Sequence, residues 1–527
     1  MNPLIIHGHF YQPPRENPWT GVVDPELSAL PFHDWNERIH AECYQPNSEV
    51  HTLDPVSGAE RIINNYEHIS FDFGPTLLSW LERTHPETYR RVIEADSASV
   101  RQHNGHGNAI AQAYNHAILP LCNSRDQRTQ VRWGLADFRY RFGREPESMW
   151  LPETACNDDV LGLLIDAGLR FVILAPQQAR RVRSCMTEIP VCPGQSEANS
   201  PSQQWQTVDA NTIDTSCAYN YFHRDGSGRS IAVFFFDQEL ARAIAFEQAL
   251  ASSRGLVHRF SERASGSGLV NVATDGESNG HHHKFGDLCL AYTVADEAPA
   301  SGFQLTNYAQ YLDEFPPAKE VEINNGLEGE GSSWSCVHGV SRWIRDCGCQ
   351  TGAEPGWNQA WRSPLRAALD YLRDENAIHF EATRGELFTD PWAARDDAIS
   401  LVLNNLLSRE EFVHRHAPRE LSREQQLRAL GFLELQRNAL LMFTSCGWFF
   451  SDISGLEPIQ ILKYAARVID LMNQLGLPSV REEFLEILAN AKSNRPELNG
   501  ADIYRRFVEP ANPALNADRS PLVSTLA

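Results

Sequence analysis

No stretch of this 527-residue chain is apolar for long enough to cross a membrane. The opening residues, Met1-Asn2-Pro3-Leu4-Ile5-Ile6-His7, carry no basic segment and no apolar run of export length. There is no internal repeat, no low-complexity tract and no dense cysteine framework. The eleven cysteines are odd in number and irregularly spaced, which predicts reduced thiols in a cytoplasmic protein with no membrane partner. Basic residues are few: 46 Lys and Arg stand against 68 Asp and Glu, for a formal net charge of -22. Such a surface repels phosphate backbones and argues against a nucleic-acid partner. A neutral polymer would not be repelled.

What is present is an ordinary globular composition, 42% hydrophobic and 22% charged. The length exceeds what one core organises, so two or three domains are expected. Apolar runs at Leu4–Ile6, 148–151, Phe171–Leu174, 231–236 and 269–273 read as buried strands. Helical patterns separate them. Ser124 reads as an N-cap for a helix with Val131, Leu135 and Phe138 on one face, and Asn157 opens one with Val160, Leu161, Leu164 and Ile165 inward. Apolar strands alternating with helices imply a parallel sheet covered on both faces. A closed or nearly closed β/α barrel is the first reading and a doubly wound sheet the second. We expect a catalytic domain over 1–320, broken near 190–228 by a Ser-, Gln-, Gly- and Pro-rich insertion, then a linking segment over 321–356. Helical periodicity over 365–371, 398–407, 425–442, 459–475 and 482–491 predicts a helical domain over 357–508. A tail follows at 509–527, where little order is expected.

Polar groups collect just after the strands. His7 and His9 follow the first, Glu153 follows 148–151, and Asp275 and Glu277 follow 269–273. In β/α barrels the C-terminal strand ends converge on one mouth, so three strands delivering His, Glu and Asp there suggest an active site. Two carboxylates from different strands suit glycosidic-bond chemistry: one attacks an oxocarbenium-like centre while ionised, and the other donates a proton to the leaving oxygen. Pro152 stiffens the chain before Glu153, and Gly276 is read as permitting a tight turn between Asp275 and Glu277.

These segments resemble the motifs of glycoside hydrolase family 57, in the subgroup with a C-terminal domain of unknown function. His7-Gly8-His9-Phe10-Tyr11-Gln12-Pro13-Pro14 is similar to the first motif, with Tyr11 where many members carry His. Ala113-Tyr114-Asn115-His116-Ala117-Ile118-Leu119-Pro120 is similar to the second, Trp150-Leu151-Pro152-Glu153 to the third, Asp275-Gly276-Glu277 to the fourth and Gly447-Trp448-Phe449-Phe450 to the fifth. The resemblance implies an α/β fold, an incomplete (β/α)7 barrel followed by a helical region. It implies a retaining, metal-free and cofactor-free action on α-glucans. Glu153 would then be the nucleophile and Asp275 the acid/base, with His7, His9, Gln12, Trp19, His116, Trp150, Glu277 and Trp448 contacting substrate. Because polysaccharide sites need apolar faces against which sugar rings stack, we also expect the helical domain to close part of the groove, with Trp448 near the barrel mouth.

Blander readings stand beside these. His281-His282-His283 could mark a metal tract, but adjacent histidines cannot all face one ion, which favours a loop with its own partners. Cys336, His338, Cys347 and Cys349 form a zinc-like ligand set, yet the one-residue gaps depart from the usual spacing, which favours buried free thiols. Trp334, Trp343, Trp357 and Trp361 read as core before sugar platform. Two other functions compete. One is a metal-dependent polysaccharide deacetylase using His7, His9, Asp275 and the histidine tract. The other is a glycan-binding protein without turnover, against which both carboxylates argue.

Overall fold

The computed structural model describes residues 1–184, 204–264, 268–403 and 406–512. The chain forms two compact units. The first takes Met1–Gln12, Glu26–Gln112 and Arg141–Ser335; the second takes Pro13–Pro25, Ala113–Tyr140 and the chain from Cys336 on. The architecture is mixed α/β with a helical C-terminal region. No helix among the described residues is long and apolar enough to cross a membrane.

In the first unit, a parallel succession is formed by β1 (Asn2–Phe10), β2 (Ser70–Phe73), β3 (Ala111–Gln112), β4 (Met149–Trp150), β5 (Phe171–Leu174), β6 (Ser230–Phe235) and β7 (Val270–Asp275), and Phe303–Leu305 adds a further parallel pairing with the start of β1. β1 lies between β7 on one side and β2 on the other, with His9 opposite both Asp275 and Asp72. Single parallel bridges at Phe71–Ala109 and Ser148–Phe171 continue the succession around the β3–β4 pair to β5 and β6. Between β6 and β7 the ladder gives way to isolated bonds: the Asn271 side-chain amide donates to the Phe235 carbonyl at 3.2 Å, and the Asp237 backbone N–H donates to the Asn271 carbonyl at 2.9 Å. Ile5, Phe171, Ile173, Phe234 and Tyr308 fill one interior cluster. Asn157 caps the helix Asp158–Asp166 by accepting from the Val160 N–H, and the expected apolar face is buried.

Three local expectations are corrected. Within the stretch expected as an insertion, Ala218–Phe222 is a strand antiparallel to β6, and Gln206–Thr207 pairs with Arg181 and Val182. Tyr219 and Tyr221 are buried, and their β-forming run was masked by the surrounding Ser, Gly and Asn. Residues 190–203 of that stretch, and the tail beyond 512, lie outside the described residues. The helix expected over 398–407 is interrupted, with Pro391–Asp397 and Ile399–Val402 as short pieces. Ser124 is the first residue of its helix, and Asn123 acts as the cap by accepting from the Arg125 and Asp126 N–H groups.

The second unit is built on Arg362–Glu381, Arg423–Leu441, Leu456–Gln474 and Arg481–Leu488, close to the spans predicted from periodicity. Trp133, Trp343, Trp361 and Trp448 are fully buried within it. No strand follows Ile323 among the described residues.

Candidate active site

Period-two alternation on β1 points His7 and His9 to the same side, toward the Asp72 carboxylate on β2. Asp72 joins the two imidazoles: Oδ1 lies 3.2 Å from His7 Nε2 and Oδ2 lies 2.9 Å from His9 Nδ1. His7 Nδ1 is 3.0 Å from Ser70 Oγ. All of these groups are buried. Burial lowers the pKa of both histidines. For His7 burial prevails and the ring is held neutral. For His9 the charge and hydrogen bond of Asp72, with Asp275 and Glu277 beyond, outweigh burial and push the ring up to about 9. His9 is therefore an imidazolium at neutral pH. Trp150, at the end of β4, stacks on both rings, with centroids 4.9 and 5.0 Å away.

Glu153 follows Trp150 on a one-turn 3-10 segment, Pro152–Thr154, with φ of +58°. A non-glycine residue in the left-handed region costs of order 1–3 kcal/mol, so the surroundings must fix this turn. They do so through the segment 332–335. Cys156 and Ser332 exchange both backbone hydrogen bonds, and the Trp334 N–H donates to the Glu153 carbonyl at 3.1 Å. Trp334 Nε1 and Ser335 Oγ then both donate to Glu153 Oε2, at 2.9 and 2.5 Å.

Asp275 ends β7. The residue is exposed although protein packs around the strand end. Its carboxyl is pushed up to about 6. Burial is the main cause, His9 opposes it, and the charges of Glu153 and Asp72 add to it. Glu277 is nearly enclosed. Its Oε1 accepts from the Tyr11 N–H at 3.0 Å and from the Tyr44 hydroxyl at 2.7 Å. Burial and the neighbouring Asp275 charge push it up to about 7. Gly276 has a reason other than the expected turn. Its φ is not left-handed, but a Cβ there would run into the Phe10 ring.

The first unit thus gathers His7, His9, Trp150, Glu153, Asp275 and Glu277. His7 is corrected from substrate contact to support, because it has no exposed surface and orients Asp72. Gln12 is half-buried, with Nε2 donating to the Tyr11 carbonyl at 3.1 Å. The histidine tract diverges: His281 pairs with Glu42, His283 faces the Ala245 carbonyl at 3.0 Å, and His282 is exposed. That arrangement removes the ligand set on which a deacetylase reading depends.

Three expected contacts belong to the second unit. His116 is buried, with φ of +54° and Nδ1 2.6 Å from Ser445 Oγ. Trp19 donates to Asp470 Oδ2 at 2.7 Å. Trp448 is corrected from groove platform to core residue. It has 0% exposure, its indole N–H donates to the Arg362 carbonyl at 3.3 Å, and its ring lies beside Phe443 and under Arg366, which leaves no face for a sugar.

A model of glycosyl hydrolase family 57 matches residues 14–324, more than half of the chain. The chain belongs to glycosyl hydrolase family 57. A second model, described only as a domain of unknown function, matches residues 357–517 of this family-57 protein. Its fold is similar to that of an exo-type maltose-forming amylase from Pyrococcus sp. ST04, with a TM-score of 0.64 and 14% identity over 96% of this chain and 92% of that one. A family-57-type branching enzyme from Pyrococcus horikoshii gives a TM-score of 0.53 and 15% identity over 99% of this chain and 98% of that one. At these identities the likeness is one of fold. Alpha-amylase 1 of Dictyoglomus thermophilum is 26% identical over 107 residues, which span 20% of this chain and only 15% of that protein.

Sequence reasoning missed three contributors to this family-57 site, Asp72, Tyr44 and Ser335, and read a fourth, Trp334, as core. Asp72 sits in Ser70-Phe71-Asp72-Phe73, a short strand whose flanking apolar residues were signal enough. Trp334 and Ser335 lay in what read as a linking segment. They are long-range partners of Glu153 with no local signature.

Proposed function

We propose that this family-57 chain is a retaining enzyme acting on α-glucans such as starch or glycogen, with Glu153 as nucleophile and Asp275 as general acid/base. The reading is carried by the unequal environments of two electrostatically coupled carboxyl groups. Glu153 accepts two hydrogen bonds on Oε2, which leaves Oε1 to attack the anomeric carbon. Asp275, lifted to about 6, can hold the proton that the leaving oxygen needs. The carboxyl groups are expected about 5–5.5 Å apart, as retention requires. His9, held cationic by Asp72, would hydrogen-bond sugar hydroxyls, with Gln12 and Glu277 beside it. The substrate class is supported by the names of the similar proteins, which are amylases and a branching enzyme.

The succession of seven parallel strands supports an incomplete (β/α)7 barrel, with the site at its C-terminal mouth. The nine described cysteines are all free, which fits a cytoplasmic enzyme. Hydrolysis, chain transfer and branching share the glycosyl-enzyme step and differ in the acceptor. The test is Glu153→Gln, which keeps the shape and both donors but is a poor nucleophile. The variant should retain the wild-type circular dichroism and lose nearly all turnover on α-glucans. Turnover at the wild-type rate would reject Glu153.

A further inference from the structure

From the side chains of Cys336, His338, Cys347 and Cys349 we infer a structural zinc site, independent of the glycosidic chemistry. One ligand atom from each of these residues falls within a set spanning at most 4.8 Å. Cys336 Sγ is 3.9 Å from Cys347 Sγ and 3.7 Å from Cys349 Sγ, and Cys349 Sγ is 3.5 Å from His338 Nδ1. A tetrahedral ion with Zn–S near 2.3 Å and Zn–N near 2.0–2.1 Å places sulfurs about 3.8 Å apart and sulfur and nitrogen about 3.5–3.6 Å apart. The separations match that figure, whereas a disulfide needs its sulfurs at about 2.05 Å.

The short spacing that argued against zinc has a local explanation. Cys336 is buried, and beyond the exposed Val337 the turn carries the exposed His338 to a position where its Nδ1 meets Cys349 Sγ. Cys347 and Cys349 flank Gly348, whose φ of +80° bends the chain through the left-handed region and lets both thiols face one point. A turn closed by the Gly339 N–H on the Cys336 carbonyl brings the first pair round.

An independent observation is charge. The Arg362 side chain is fully buried, and the partners of its guanidinium among the described residues are backbone carbonyls, not a carboxylate. Its Nη1 donates to the Cys349 carbonyl at 2.8 Å, and its Nη2 lies 3.5 Å from the Phe449 and Phe450 carbonyls, so the guanidinium sits against the ligand loop with neutral acceptors around it. An unpaired buried guanidinium is costly. Three thiolates and a neutral imidazole around Zn²⁺ carry a net charge of -1, which Arg362 balances; three neutral thiols would leave it without a counter-charge. Metal loading therefore explains both the ligand geometry and the arginine.

The test uses full-length protein purified with reductant and without chelator. Elemental analysis should find about one zinc per chain. Chelation should remove it and lower the melting temperature, and added Zn²⁺ should restore both. Co²⁺ added to the stripped protein should give thiolate-to-metal charge-transfer and intense tetrahedral d–d bands. Cys347→Ser with Cys349→Ser should abolish metal content and bands, while Cys217→Ser should keep them. If the double variant fails to fold, the wild-type Co²⁺ titration decides alone. The site is refuted if reduced wild-type protein takes up neither Zn²⁺ nor Co²⁺, if Co²⁺ binds without thiolate bands, or if a folded double variant holds metal as the wild type does.

Discussion

In the proposed mechanism Asp275 must be protonated when the glycosidic bond breaks and ionised when the intermediate is resolved. Its folded-state value of about 6 lies above that of a free aspartate, so protonation persists at low pH and is lost as pH rises through about 6. The alkaline limb of kcat/KM should fall there. Glu277, near 7 and coupled to Asp275, titrates close by, so the pair loses its protons in two shared steps. Once Glu153 is esterified its charge no longer raises Asp275, and the pKa of the acid drops as it becomes the base. Asp275→Asn should therefore remove the alkaline limb. It should slow natural glucans by about 10²–10⁴-fold while sparing activated aryl glucosides in the first step. Equal losses on both substrate types would pass the role to Glu277. A pH-rate series on wild type, Asp275→Asn and Glu277→Gln makes the distinction.

At the scale of elements, β1, β2 and β7 build the acidic side of the site by register alone, and Gly276 lets β7 pass Phe10. Gly276→Ala places a Cβ against that ring. Overpacking of this kind costs about 1–3 kcal/mol. We expect a lower urea midpoint with an unchanged m-value, together with reduced kcat because Asp275 and Glu277 flank the shift. An unchanged midpoint would refute the packing argument. Which elements were legible follows from range. Long periodic helices such as Arg423–Leu441 and apolar strands such as β5 carry their signal within one window. Glu153, Asp275 and His9 were legible because strand ends place them. Trp334 and Ser335 showed their role only when a fold brought them to Glu153, whereas Asp72 carried a short strand signal that was passed over. Trp448 misled because a motif position says nothing of which way its ring faces.

At the scale of the molecule, the two units interleave along the chain. Residues 113–140 belong with the helices from Cys336 on, not with the strands that flank them in sequence. Trp133 donates to the carbonyls of Arg395 and Asp396, and Ser445 donates its N–H to the His116 carbonyl. A fragment ending at residue 356 would strip these partners and uncover buried Trp133. It should be recovered as aggregate or as a rapidly proteolysed species, whereas a protease-resistant 1–356 fragment would mean that the first unit folds independently of its helical partners. The central claim, that a family-57 chain with this pair of carboxyls works through a glycosyl-enzyme on Glu153, is tested most directly by trapping. A fluorinated α-glucosyl fluoride carries a leaving group that needs no acid and a ring that slows release of the intermediate. Peptide mass spectrometry after incubation should find one glucosyl adduct, on the peptide bearing Glu153 and at that residue. No adduct with wild-type protein that is turning over, or an adduct on Asp275, would contradict the account.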